Sequence, residues 1–277
     1  MFSRVKMLLR GIVNMKIISI ISSGRRNGNT ERIVSHIEEE FLQTANKNNL
    51  QVEFEQIYLG YTDIKVCKGC RICYDKGEDF CLLKDELLNI RDKISQADGV
   101  ILASPVYVED INGIMKNWID RMAFNCHRPA FADKTAVIIT TSGAGSTNHS
   151  LKTMNSALHT WGFHVSAQSK FRTGAFIENE QINARYGSQI KVIANKLFNT
   201  INDNRTKNPS LYSLIVFKVQ QKCWQKAKDE RNTLDYSYWK NKGWIEKTCS
   251  FYMSHNASFL KVKLAGIAGN IFATFFV

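Results

Sequence analysis

Two apolar patterns alternate along the chain: short β-branched runs, and longer stretches with an apolar residue every three or four positions. Lys16 to Ser22 (K-I-I-S-I-I-S) is the first run, closed by Ser-Gly as a strand buried on both faces should be. Asn29 and Thr30 then stand where they can cap a helix whose Ile33, Ile37 and Phe41 fall at four-residue spacing. Val52 to Leu59 alternates as a second strand, and Asp85 to Ile94 reads as a helix. Gly99 to Ser104 predicts a third strand ending at Pro105, followed by a helix over Ile111 to Ala123. Thr135 to Thr141 predicts a fourth strand, His149 to Thr160 a helix, Phe163 to Gln168 a fifth strand and Ile182 to Ile201 a long amphipathic helix. Five alternations of strand and helix predict a five-stranded parallel sheet with helices on both faces. Ligands of such sheets sit beyond the carboxyl ends of the strands, near the reversal of strand order. The loops after strands one, three and four are therefore expected to meet.

Polar residues from Asp203 to Pro209 mark a boundary, giving an α/β domain over 15–202 and an extension over 203–277. The extension is rich in aromatic residues interleaved with lysines and is expected to be mostly helical, packed over the core or a dimer mate. The formal charge of +12 is concentrated there: residues 204–277 hold 12 Lys and Arg against 4 Asp and Glu, the first 203 residues 25 against 21. That excess is a property of the extension, and no nucleic-acid module accompanies it. Contact of the C-terminal tail with a membrane surface is an expectation, because Leu264 to Val277 is apolar and lysines flank it. No run reaches the roughly 20 apolar residues that cross a bilayer. Residues 1–14 read as an N-terminal extension without a signal-like core, and Met15 as an alternative start. With an odd count of seven cysteines, this makes the cytoplasm the expected location and a disulfide framework unexpected.

Three loops carry chemistry. S-S-G-R-R-N-G-N-T (Ser22 to Thr30) joins small residues, the hydroxyls of Ser23 and Thr30 and the charge of Arg25 to a helix N-terminus, a cradle for one phosphate. It lacks both the Gly-Lys-Ser/Thr ending of an ATP-type loop and the three-glycine dinucleotide pattern. In S-P-V-Y-V-E-D-I-N-G (Ser104 to Gly113), Pro105 stiffens the chain and Tyr107 offers a flat face for a planar ring. T-T-S-G-A-G-S (Thr140 to Ser146) presents backbone amides that can bond the ring's polar edge. One phosphate and one flat ring describe a mononucleotide such as FMN; each loop taken singly is also an ordinary turn.

The ordered set S-x-R-x-x-G-N-T, S-P-V-Y followed by M-K-N-W-I-D-R, and T-S-G-A-G resembles the NADPH-dependent FMN reductases and flavodoxin-like NAD(P)H oxidoreductases, over Met15 to Ile201. The resemblance implies a flavodoxin-like fold and FMN, its phosphate at Ser23, Arg25, Asn29 and Thr30. The isoalloxazine would lie along Pro105, Val106 and Tyr107, with Ser142, Gly143 and Ala144 at its edge. It also implies a homodimer with Met115 to Arg121 near the interface. Gly24 departs from a frequent proline, and Val108-Glu109 from a frequent aromatic-glycine pair, which bears on the shape over the flavin.

Cys67-x2-Cys70-x2-Cys73-x7-Cys81 is the chain's metal-type signal. Two successive x2 spacings suit a four-iron–four-sulfur cluster better than zinc; unliganded thiols, zinc and a redox disulfide are the alternatives. The pattern resembles the motif of iron–sulfur flavoproteins, a branch of the same family. The functional expectation is an FMN-dependent oxidoreductase passing electrons from NAD(P)H or ferredoxin to a small acceptor: a quinone, a nitroaromatic or a flavin. An iron–sulfur electron carrier and a flavin-free binding protein on the same fold are the alternatives. No catalytic acid or base is named, since the redox chemistry is the cofactor's. His127 and Arg128 are expected at the surface, with contact to the flavin or substrate as the alternative, Asp120 and Arg121 as a helix-end or interface ion pair, and His149, His159 and His164 in structural or solvent-facing roles.

Overall fold

The computed structural model describes residues 15–175, 177–203, 207–226 and 233–275. The expected extension over 1–14, the choice between Met1 and Met15, and the middle of the 203–209 boundary lie outside them. The strands are β1 (Met15–Ile21), β2 (Val52–Tyr58), β3 (Gly99–Tyr107), β4 (Asp110–Ile111), β5 (Thr135–Ser142) and β6 (His164–Arg172). Five of them form the expected parallel sheet in the order β2-β1-β3-β5-β6. The sixth, β4, is a two-residue strand that folds back antiparallel on the end of β3. The helices of the core are α1 (Asn29–Lys47), the short α2 (Ile72–Asp75), α3 (Leu87–Gln96), α4 (Gly113–Arg121), α5 (Asn148–Thr160) and α6 (Asn179–Asn202). Those of the extension are α7 (Leu211–Lys226), α8 (Thr233–Asn241) and α9 (Phe259–Ala273).

Successive strand residues face opposite ways, so each apolar run supplies two cores at once. Ile18, Ile20, Val100 and Leu102 pack beneath α3, α4 and α5 with Trp118, Met154 and Trp161. Ile17, Ile21, Ile101, Val137 and Ile139 face α1 and α6, meeting Ile37, Phe41, Ile190 and Leu197. At the start of β3, a Cβ on Gly99 would lie 2.5 Å from Ile201 Cδ1, so a larger residue there would displace that side chain at the end of α6.

Three sequence expectations need correction here. Pro105 does not end β3: it pairs with Thr141, and the strand runs on to Tyr107. Strand β6 continues to Arg172, because at this sheet edge Ser169 and Phe171 face inward while Lys170 and Arg172 face solvent. Finally, α1 is not capped by Asn29 or Thr30; Gly28 is its N-cap, without a side-chain hydrogen bond.

The extension has its own core of Leu214, Phe217, Trp239, Trp244, Phe251, Tyr252 and Ala265. It docks through polar ends. Trp239 Nε1 donates to the His127 carbonyl (2.7 Å), Tyr238 to that of Pro129 (2.8 Å) and Gln220 Nε2 to that of Cys126 (2.8 Å). His127 Nδ1 lies 2.7 Å from the buried Asp235 carboxylate, which also binds Arg128. The expectation of a surface role fails for Arg128, which is buried as the extension's anchor and bonded as well to Glu78 and the Cys73 carbonyl, while His127 stays partly exposed.

Candidate functional site

The loops after β1, β3 and β5 meet at the carboxyl edge of the sheet. Asn112 ties the first two together, its buried amide donating to the Ser22 carbonyl (2.6 Å) while its Oδ1 caps α4 at Met115 (3.0 Å). The first and third loops join where the Thr30 and Thr141 hydroxyls lie 2.6 Å apart, both buried. Asn29 reaches the segment after β6, donating to Thr173 Oγ1 (2.9 Å) and the Gly174 carbonyl (3.1 Å).

Ser23 is buried, and its hydroxyl closes the first loop on itself by accepting from the Arg25 N–H (3.2 Å) and donating to the Arg25 carbonyl (3.0 Å). A Cβ on Gly28 would make ordinary contact with the Arg25 carbonyl (3.4 Å) and Ser23 Oγ (3.5 Å). The side chain of Arg25 is exposed at the mouth. Arg26 turns away onto the Tyr58 ring, 3.6 Å from its centroid. The side chains leave the first turn of α1 uncapped, so its N–H groups and positive dipole end face the loop.

Opposite stand Pro105 and Val106, half-buried in β3, and Tyr107, half-exposed at the hairpin that returns to β4. Past β5, Gly143 and Ala144 are exposed. The Ser142 hydroxyl is buried with no hydrogen-bond partner among the described residues. Buried polar groups are nearly always satisfied, so an orphaned hydroxyl at the end of β5 and an uncapped helix end after β1 each fit a polar ligand held at this edge of the sheet. The set suits FMN: backbone amides, hydroxyls and Arg25 for a phosphate, and Pro105, Val106 and Tyr107 for a flat ring.

A second concavity adjoins α4. Cys67 and Cys70 are exposed, Cys73 and Cys81 half-buried, and all four line one cavity of about 260 Å³ with Arg121 and Phe124. Their loop coils through left-handed positions at Gly69, Arg71 and Gly77. Burial pushes the Cys73 thiol up, and the charges of Cys81, Cys67 and Cys70 add to this against Arg128. The Arg121 guanidinium, 4.0 Å from Cys81 Sγ, brings positive charge to the thiols. The donor chemistry fits an iron–sulfur cluster. Among the described residues, however, no three His, Cys, Asp or Glu side chains are arranged to hold a metal ion.

Sequence reasoning missed the residues that hold this loop. Asn117 receives the Cys67 N–H (3.4 Å) and donates to the Ile64 carbonyl (3.2 Å). Arg121 pairs not with Asp120 but with Asp85 (2.5 Å), in a nearly fully buried bridge that also reaches the Lys65 carbonyl. Burial would raise the Asp85 carboxyl, yet Arg121 and the backbone N–H groups of Lys65 and Leu87 hold it below the usual range. Asp120 binds Lys116 at the surface instead. The signal was present in M-K-N-W-I-D-R, where Asn117 and Arg121 share one helix face and Lys116 and Asp120 the next. Met115 and Trp118 are buried within the chain itself.

The sequence profile of the NADPH-dependent FMN reductase family matches residues 15–175. An iron-sulfur flavoprotein of Archaeoglobus fulgidus is 26% identical over 234 residues, which cover 83% of this chain and 100% of that protein. One of Methanosarcina thermophila is 31% identical over 147 residues, 53% of this chain and 72% of the relative. Among solved structures, the apo form of an NADH:FMN oxidoreductase aligns with a TM-score of 0.50 at 19% identity, over 69% of this chain and 92% of that one. RosB, solved with a bound 8-demethyl-8-formylriboflavin-5'-phosphate, aligns at 0.53 and 13% identity, over 88% and 92%. At those identities the structural likeness speaks to the fold.

Proposed function

This chain belongs to the NADPH-dependent FMN reductase family, and from that premise we propose how its loops divide the work of an FMN-dependent oxidoreductase. The electrons come from NAD(P)H, with ferredoxin as the alternative donor, and pass to a small acceptor such as a quinone, a nitroaromatic or a flavin. When bound, FMN supplies hydride and single-electron chemistry, and the chain supplies position and electrostatics. The first turn of α1, Ser23, Asn29 and Thr30 hold the phosphate, with Arg25 closing over it from the mouth. Pro105, Val106 and Tyr107 seat the ring, and Ser142, Gly143 and Ala144 bond its edge. Asn112 and the Thr30–Thr141 contact keep the three loops in register. The observations that carry this reading are the uncapped first turn of α1 beside the first loop and, at the end of β5, the buried Ser142 hydroxyl with no partner among the described residues.

A second reading rests on the cysteine cavity. Cys67, Cys70, Cys73 and Cys81 would hold a four-iron–four-sulfur cluster, with Arg121 offsetting thiolate charge, and the protein would then carry electrons rather than turn over a substrate. Named iron-sulfur flavoproteins among the relatives support it. One anaerobic purification separates the readings. FMN near one per chain, with rapid NAD(P)H oxidation in the presence of a quinone, is expected for the oxidoreductase. Iron and sulfide in stoichiometric amounts with negligible NAD(P)H oxidation favour the carrier. A colourless protein that fails to take up added FMN sinks both and leaves a flavin-free binding protein.

A further inference from the structure

Helix α9 is built inside out. It rests on α7 through its small residues: Ala265, Gly269 and Ala273 are buried, and a Cβ on Gly269 would lie 2.6 Å from that of Lys218. The opposite face bares its large ones, Leu260, Leu264, Ile267 and Ile271 each being at least half exposed. Phe259 (80% exposed) stands at the start of the helix and Phe275 (78%) just beyond its end. A helix apolar on both faces belongs with cover on both, and a bare stripe of this kind marks a contact surface.

We propose that α9 is an interfacial anchor that lays this protein on an anionic lipid surface. Charge selects this occupant over a second copy. The helix carries Lys261 and Lys263 and no acidic residue, within an extension that holds 12 basic against 4 acidic side chains. At about 100° per residue, the two lysines fall about 80° to either side of the centre of the apolar stripe. Lys263 is exposed, while Lys261 donates to the Pro209 carbonyl (2.7 Å). A two-fold partner would set this acid-free face against itself with its cationic rims unneutralised, whereas anionic headgroups neutralise them. Geometry also fits. A 15-residue helix is about 22 Å long, short of a hydrocarbon core of about 30 Å. No helix among the described residues is long and apolar enough to cross a membrane. Lying in the headgroup plane, α9 would bury its stripe and leave the lysines at the level of the charge.

The test is flotation of the full-length protein with vesicles of phosphatidylcholine, alone or mixed with phosphatidylglycerol. The protein should float with the mixed vesicles and be released by high salt. Lys263→Gln should weaken binding roughly fivefold, and Ile267→Glu on the order of tenfold or more. Both positions are exposed, so unchanged thermal unfolding by circular dichroism separates lost binding from lost fold. Absence of flotation with either vesicle overturns the proposal, as does flotation that Ile267→Glu leaves intact. A dimer that Ile267→Glu disperses, without flotation, overturns it in favour of a second copy.

Discussion

Val108 and Glu109 form the two-residue turn between β3 and β4 with φ of 49° and 65°. Both are left-handed, which such a hairpin requires and which asparagine and glycine normally provide. A β-branched residue there is strained by roughly 1–2 kcal/mol, and Val108 recovers nothing by packing because it is fully exposed. Val108→Asn should therefore raise stability by about 1 kcal/mol, read as a shift of the urea midpoint; an unchanged midpoint removes the strain argument. The sequence marked this pair as unusual but gave no reason to expect β4, since the turn lacks its customary residues. Arg25 is the complementary case, a proposed site residue read from its loop and exposed at the mouth of that loop in the fold. Removing its charge should act only where a phosphate is present. Arg25→Ala is predicted to weaken FMN about tenfold and riboflavin not at all, in paired fluorescence titrations. Equal losses for both flavins would mean that the arginine does not meet the phosphate.

Helix α4 carries two ion pairs of opposite worth. Lys116 and Asp120 meet at 2.6 Å in solvent, where such pairs contribute little. Arg121 and Asp85 meet at 2.5 Å with side chains 3% and 1% exposed, so breaking that pair strands a buried charge. Arg121→Leu should cost about 3–5 kcal/mol, against about 0.5 kcal/mol for Lys116→Ala, both by urea unfolding. Comparable losses would show that the two bridges are equally solvated. The helix itself was legible from its periodicity. Which of two adjacent residues, Asp120 or Arg121, faces inward was not, because that depends on the segment from Ile64 to Asp85 folding against it.

On the scale of the whole molecule, the extension and the sheet domain share a seam that titrates. His159 on α5 faces Ser213 on α7 (2.9 Å), and burial, with His164 adding to it, lowers the imidazole from 6.5 to about 4. An unfolded chain takes up this proton near pH 6.5 and the folded one does not until about pH 4. Stability is thus unaffected above about pH 6.5 and falls as pH drops through the window between the two values. The loss should be about 2 kcal/mol by pH 5. His159→Gln, which keeps a hydrogen-bonding side chain beside Ser213, should flatten urea midpoints compared at pH 7 and pH 5. A wild type equally stable at both would refute the seam.

Periodicity determined the parallel sheet, because β1, β3 and β5 are buried on both faces and only uninterrupted apolar runs satisfy that. It also determined which three loops meet, since in a parallel sheet every strand's carboxyl end lies on one edge. Elements read less well where burial is one-sided: β6 looked shorter than it is because its edge residues alternate with polar ones. Tertiary structure alone decided the partners. It placed His127 and Arg128 on Asp235, more than a hundred residues away, and it turned the small face of α9 inward. Both outcomes arise from which surfaces remain to be covered once the sheet has formed, and local pattern holds no record of that.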